Sequence, residues 1–413
     1  MTDTAEPLET ATDPKAPLEP VGIPLTEPRE GLPPLVVDDA GLAAVARALA
    51  AGEGPIAVDT ERASGYRYGQ SAYLLQLRRR GSGSHLIDPV GITDFGPLID
   101  VLDGPEWVLH SASQDLPALR EIGLVAQELF DTELAGRLLG LPRVGLAALV
   151  ESEFGFVLAK EHSAVDWSTR PLPEPWLRYA ALDVELLIEL RELLLLQLRD
   201  AGKLEWAQEE FRAVLDAPPP APRADPWRRT SGIHKVRGPR RLAVVRALWL
   251  ARDEMARARD VAPGRLIPDG AIVAAAQALP ISAEALLSTQ GFNGRAARSG
   301  LNTWWNAVAE ALALPDDQCP AAPKSEGPPP PKAWPDRYPE AAARWDIMRP
   351  ATLELAETLA VPVENLLSPD TVRRLAFAPP EPADADTVAE FLRAHGAREW
   401  QITATLPTLL TAL

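Results

Sequence analysis

The sequence has one cysteine, Cys319, in 413 residues, so it can form neither an intramolecular disulfide nor a thiolate zinc cluster, and a reducing compartment is indicated. It has no apolar run of the roughly 20 residues that span a bilayer. Its first residues, MTDTAEPLETATDPK, lack the basic and apolar stretches of a signal peptide, and the expected location is cytoplasmic, away from membranes. The absence of a Gly-x-x-x-x-Gly-Lys-Ser/Thr loop excludes a phosphate-cradling motor, so no nucleoside triphosphate is expected as a ligand. His85, His110 and His162 are too scattered for a zinc site. Basic charge is also short overall, since the formal net charge is −17. That total argues against a nucleic-acid partner until its distribution is examined.

The charge is sorted along the chain. Residues 1–30 hold seven acids against two bases, whereas 223–265 hold twelve Lys/Arg against four Asp/Glu. Local fields, screened over about 8 Å at physiological salt, govern docking more than the sum does. The composition, 46% hydrophobic and 24% charged, is that of a globular protein, and the length suggests two or three domains.

Proline marks the boundaries. Residues 1–34, rich in Pro, Glu and Thr without apolar periodicity, read as a disordered acidic tail. Pro-rich linkers are expected at 217–226 and 316–332. They delimit an α/β block at 35–216 and all-helical blocks at 227–315 and 333–413. In the first block, strands are expected at Ile56–Asp59, Ala72–Leu77, Ser84–Asp88 and Trp107–His110. The first three follow too closely for intervening helices, which predicts an antiparallel meander extended by helical crossovers into a mixed sheet flanked by helices. Helices are expected at Gly41–Ala51, Asp115–Ile122, Asp131–Leu139, Gly145–Phe154 and Pro175–Arg199. The helical blocks resemble each other around Val261–Asp269 and Val361–Asp370, which suggests a duplicated small domain.

Asp59 and Glu61 stand two apart on a strand, so both carboxylates project from one face. Hard divalent cations take oxygen ligands, and a two-metal site needs several converging carboxylates. Asp115 follows the fourth strand and opens a helix, where it could equally be an ordinary cap. Tyr179 and Asp183, four apart, share a helix face. Each motif alone has an ordinary structural explanation, but their order does not.

That order, Asp-x-Glu on a first strand, Asp after a later strand, then Tyr-x-x-x-Asp in a helix, resembles the DEDDy 3′-to-5′ exonucleases, and ribonuclease D among them. Residues 131–135 (DTELA), 141–146 (LPRVGL) and 166–172 (DWSTRPL) fit the same family. Arg178 stands five before Asp183, where the sister DEDDh class has histidine. The resemblance implies a ribonuclease H-like exonuclease domain in which Asp59, Glu61, Asp115 and Asp183 hold two Mg²⁺ or Mn²⁺ ions and Tyr179 orients the attacking water. Trp176 stands where the family has a polar residue, and packing against a neighbouring helix is expected of it. The stretch after Glu61, Arg62 to Tyr68, would face the terminal nucleotide.

Residues 227–313 resemble an HRDC domain, and 333–413 a second, diverged copy. Arg228, Arg229, Lys235, Arg237, Arg240 and Arg241, with Trp227, form a basic edge suited to tracking a nucleic-acid backbone and stacking a base. The last block has more acids than bases. It is expected to pack on the nuclease and complete a ring or funnel that selects single-stranded ends. The family implies a monomeric exoribonuclease that trims RNA 3′ ends, tRNA precursors above all, releasing nucleoside 5′-monophosphates. A DNA exonuclease and a non-catalytic RNA-binding scaffold are the alternatives.

Overall fold

The computed structural model describes residues 22–159, 164–219, 221, 223–321 and 327–413. The sheet of the first block holds β2 (Leu35–Val36), β3 (Glu53–Arg62), β4 (Ala72–Arg80), β5 (Gly83–Ile87), β6 (Trp107–Leu109) and β7 (Leu129–Asp131), with β1 (Ile23–Leu25) lying outside it. The order is β2-β5-β4-β3-β6-β7. β3, β4 and β5 form the expected antiparallel meander, and β6 and β7 add in parallel to β3. Gly81 and Gly83, at φ of 82° and 78°, allow the two-residue turn between β4 and β5. All three residues of β6 are buried, as suits a strand covered on both faces.

Helices α1 (Asp39–Ala50), α2 (Gly96–Leu102), α3 (Leu116–Glu121), α4 (Thr132–Leu138) and α5 (Leu146–Phe154) come before β8 (Phe156–Leu158). They are followed by α6 (Glu174–Glu185), α7 (Leu187–Asp200) and α8 (Leu204–Asp216). Strand alternation divides the sheet between two cores. Leu75 and Leu77 of β4 face the core formed with α1, α2 and α7. Leu74 of β4 faces Ala180 and Ala181 of α6, together with Trp167. Trp176 packs edge-on against Trp167 at 5.5 Å, a residue of the loop before α6 and not of the neighbouring helix expected as its partner.

Three expectations need correction. The single helix over 175–199 is two, because Leu186 leaves helical geometry at φ −118°. Residues 22–34 of the expected tail are ordered: β1 pairs in parallel with β8, and Arg29 bonds the buried Glu185 and its neighbour Glu189. A buried carboxylate needs such a partner, and composition alone does not reveal it. Residues 1–21 and His162 lie outside the described residues. The loop after Glu61, expected to face the terminal nucleotide, is held over residues 65–68 by the first helical block.

That block begins with α9 (Pro239–Arg259), then short and medium helices at Pro263–Leu266 and Asp269–Ala278. The last block repeats the series at Pro339–Thr358, Val363–Leu366 and Pro369–Phe377. In both, a non-glycine residue with positive φ follows the long helix, Asp260 at 48° directly after it and Ala360 at 47° one residue past the cap. The docking loop meets the first block there: Tyr68 N and Arg67 bond the Asp260 carboxylate, Tyr66 O accepts from Ala262 N, and the Arg265 guanidinium lies 4.0 Å from the Tyr66 ring centre.

The last block docks on α8. Trp400 stacks on Trp206 at 4.7 Å and donates through Nε1 to Glu210 at 2.9 Å. Gly140 faces Ala360 O so closely that a Cβ would stand 2.5 Å away, and its φ is 71°, so both contact and conformation require glycine. Among the described residues no hydrogen bond or ion pair joins the two helical blocks, so the expected ring is not closed by such a contact between them. No helix among them is long and apolar enough to cross a membrane.

Candidate metal centre and active site

Asp59 pairs with Gln76 and Glu61 with Leu74 in the β3–β4 register, which places both acids on the face that α6 covers. α6 carries Tyr179 and Asp183 one turn apart. Carboxylate oxygens of Asp59, Glu61 and Asp183 all lie within 4.8 Å of one another.

Asp115 is brought up differently. After β6 the chain passes through Ser111, at φ 64°, and a short turn over Ala112–Gln114. The buried Asp131 carboxylate fixes this turn by accepting Ser111 N at 3.1 Å and Ala112 N at 2.8 Å, while also accepting Glu133 N and Leu134 N at the start of α4. Asp115 then accepts the Thr60 hydroxyl at 2.8 Å, with Arg62 3.9 Å away. Of the four expected carboxylates, three converge and the fourth stands beside them, turned toward Thr60. Thr60 was not singled out from the sequence, and Asp131 entered only within the family-like stretch 131–135, with no role given to it. A threonine between two acids and an aspartate at a helix start carry no distinctive signal.

Burial dominates the electrostatics. Asp59 is held well above the usual carboxylate range by burial, then by Asp115, Asp183 and Glu61. Burial pushes Glu61 up to about 9, with Asp183 and Asp115 adding to it. Asp183 rises to about 7 by burial, opposed by the hydrogen bond from Tyr179. Asp115 rises to about 6 by burial, opposed by Thr60 and Arg62. Such a cluster keeps protons above the usual carboxylate range unless a cation compensates the charge. An all-oxygen donor set of this kind fits a hard divalent cation. Burial and then the neighbouring acids raise the Tyr179 phenol above its ordinary value, so its hydroxyl stays protonated and donates to Asp183. His110, lowered to about 4 by burial, is neutral and lies 2.9 Å from the Thr132 hydroxyl, outside any metal cluster.

The basic edge is corrected in part. Trp227 is 2% exposed and belongs to the core of its block, so it cannot stack a base. Arg228 pairs with Asp225 at 2.7 Å, and Arg240 bonds the carbonyls of Ala311 and Leu314, closing the end of the helix Leu301–Ala313. Arg229, Lys235, Arg237 and Arg241 remain exposed.

Family models match three segments: a 3′-5′ exonuclease over residues 34–199, an HRDC domain over 241–308, and a 3′ to 5′ exonuclease C-terminal domain over 327–413. The block expected as a second HRDC copy thus has a model of its own, although its helices repeat the series of the first. Ribonuclease D of Escherichia coli strain K12 is 33% identical over 298 residues, 69% of this chain and 76% of the relative. The chain belongs to the ribonuclease D family. It is a metal-dependent 3′-to-5′ exonuclease with the fold expected for that family. The crystal structure of Escherichia coli RNase D, an exoribonuclease involved in structured RNA processing, superposes with a TM-score of 0.65 at 27% identity, covering 88% of this chain and all of that one. A crystal structure of a protein from Bifidobacterium adolescentis is similar over 95% of this chain and 99% of its own, with a TM-score of 0.87 at 39% identity.

Proposed function

We propose that this ribonuclease D family member removes nucleotides one at a time from RNA 3′ ends, tRNA precursors and other structured RNAs above all, using two divalent cations, Mg²⁺ or Mn²⁺. The observation that carries this reading is the convergence of Asp59, Glu61 and Asp183, with Tyr179 bonded to Asp183. Asp59, Glu61, Asp183 and Asp115 would hold the cations, which supply Lewis acidity for the attacking water and the leaving oxygen. Asp59 would hold a cation together with Glu61 and Asp183, whose carboxylate oxygens lie within 4.8 Å of its own.

Tyr179, kept protonated, orients the water by hydrogen bonding and is no base at neutral pH. The water oxygen bonds to the terminal phosphorus as the bond to the 3′ oxygen breaks. That oxygen leaves with a proton, and a nucleoside 5′-monophosphate is released. Arg229, Lys235, Arg237 and Arg241 of the HRDC domain form the surface that holds the RNA backbone at a distance from the chemistry.

The test compares wild type with Asp59→Asn on 3′-extended tRNA, single-stranded RNA and single-stranded DNA, with Mg²⁺, Mn²⁺ or chelator. Metal-dependent loss of RNA alone, abolished by the substitution, is the expected result. Equal loss of DNA and RNA overturns the substrate assignment, and trimming unaffected by Asp59→Asn overturns the site.

A further inference from the structure

Arg62 is the cation beside the acidic centre, and its bonding differs from that of two other partly buried arginines, Arg170 and Arg191. Arg170 and Arg191 meet their carboxylates at 2.5 and 2.7 Å. Arg62 stands 3.9 Å from Asp115, and the bond that holds it runs instead from Nη1 to the backbone carbonyl of Gln114 at 2.7 Å. A register shift against β4 falls between Glu61 and Arg62, where the side chain turns toward the start of α3. The side chain keeps 23% of its surface exposed, against 6% for Asp115, so Arg62 is the more solvent-accessible of the two. One of its five N–H donors is used by Gln114, and among the described residues no other hydrogen bond engages the rest.

On the metal-site reading above, on which this inference rests, four carboxylates and two divalent cations cancel in formal charge. The charge of Arg62 is then left over. A single phosphodiester carries the opposite charge, and the planar fork of donors matches two of its oxygens. We propose that Arg62 binds a phosphate of the RNA 3′ end in the ground state, with the Gln114 carbonyl holding the guanidinium at the mouth of the site.

The experiment measures kcat and KM of the full chain on single-stranded RNA with Mg²⁺ over a series of monovalent salt concentrations. Wild type, Arg62→Ala, Arg62→Gln and Arg62→Lys are compared, with Asp59→Asn as the control on the site. Removing one phosphate contact lowers the slope of log KM against log salt by about 0.7 for a single strand. Arg62→Ala and Arg62→Gln should both show that loss, with KM raised about tenfold, as expected for a charged hydrogen bond. Arg62→Lys, which keeps the charge without the fork, should restore the slope but not the full affinity.

Salt slopes parallel to wild type in Arg62→Ala, at any KM, overturn the proposal. So does a loss in Arg62→Gln of the thermal stabilisation by Mn²⁺, because Arg62 would then act only through Asp115. Persisting activity in Asp59→Asn would instead overturn the metal-site reading, whatever Arg62 does.

Discussion

The Thr60 hydroxyl donates to Asp115 at 2.8 Å, so the residue between Asp59 and Glu61 restrains the fourth carboxylate from the same strand that carries the first two. Thr60→Val keeps the shape and removes the donor. Outer hydrogen bonds of this kind tune metal affinity about 10- to 100-fold. The variant should need at least tenfold more Mn²⁺ for half-maximal activity, while Thr60→Ser behaves like wild type. Unchanged metal dependence in Thr60→Val would show that Asp115 needs no such restraint.

Asp131 accepts four backbone N–H groups, two in the turn before Asp115 and two at the start of α4. Asp131→Ala removes an N-cap, worth about 1 kcal/mol, and leaves buried donors unsatisfied, at about 1–3 kcal/mol each. Urea denaturation should show a loss of about 3 kcal/mol, and activity should fall beyond what unfolding explains. Wild-type kcat in a folded Asp131→Ala protein would contradict the positioning role.

The raised carboxylates give the metal-free protein a pH dependence of definite sign. A group whose folded value lies above its unfolded one stabilises the fold below the unfolded value, near pH 4, and that contribution is lost as pH rises through the folded values of about 6, 7 and 9 for Asp115, Asp183 and Glu61. With chelator, stability should therefore fall from about pH 5 to about pH 9. Added Mg²⁺ binds the ionised form, so its effect should grow over the same range, reaching about 2.7 kcal/mol at a hundredfold excess over Kd. Thermal melts with and without metal at several pH values provide the check. Parallel curves would contradict it.

Trp400 fills the contact between the nuclease and the last block, stacked on Trp206 and bonded to Glu210. Trp400→Ala should cost about 3–5 kcal/mol, as a large cavity does, and strip Glu210 of one of its partners. A thermal midpoint near that of wild type would mean that the block is held elsewhere.

Much of the site was legible because the chemistry is local to short motifs. Asp59 and Glu61 share a strand, Tyr179 and Asp183 share a helix face, and the apolar strands before and between them set their order. What stayed hidden depends on distant partners. Asp115 is turned aside by Thr60, 55 residues earlier, and Glu185 draws Arg29 onto α6 from 156 residues away, ordering a segment that composition marks as tail. Trp227 beside two arginines reads the same whether it stacks a base or fills a core. The break at Leu186 falls between good helix formers, with no glycine or proline to mark it. The docking of residues 65–68 on the HRDC domain follows from aromatic and charged side chains that would suit an exposed loop equally well.

The central claim is that Asp59, Glu61, Asp115 and Asp183 hold the catalytic cations. Anomalous diffraction from crystals soaked in Mn²⁺ addresses it most directly. Two peaks about 4 Å apart, bounded by Asp59, Glu61 and Asp183 with Asp115 drawn in, are the expected result. Manganese bound only elsewhere, or no peak among these carboxylates, would contradict it.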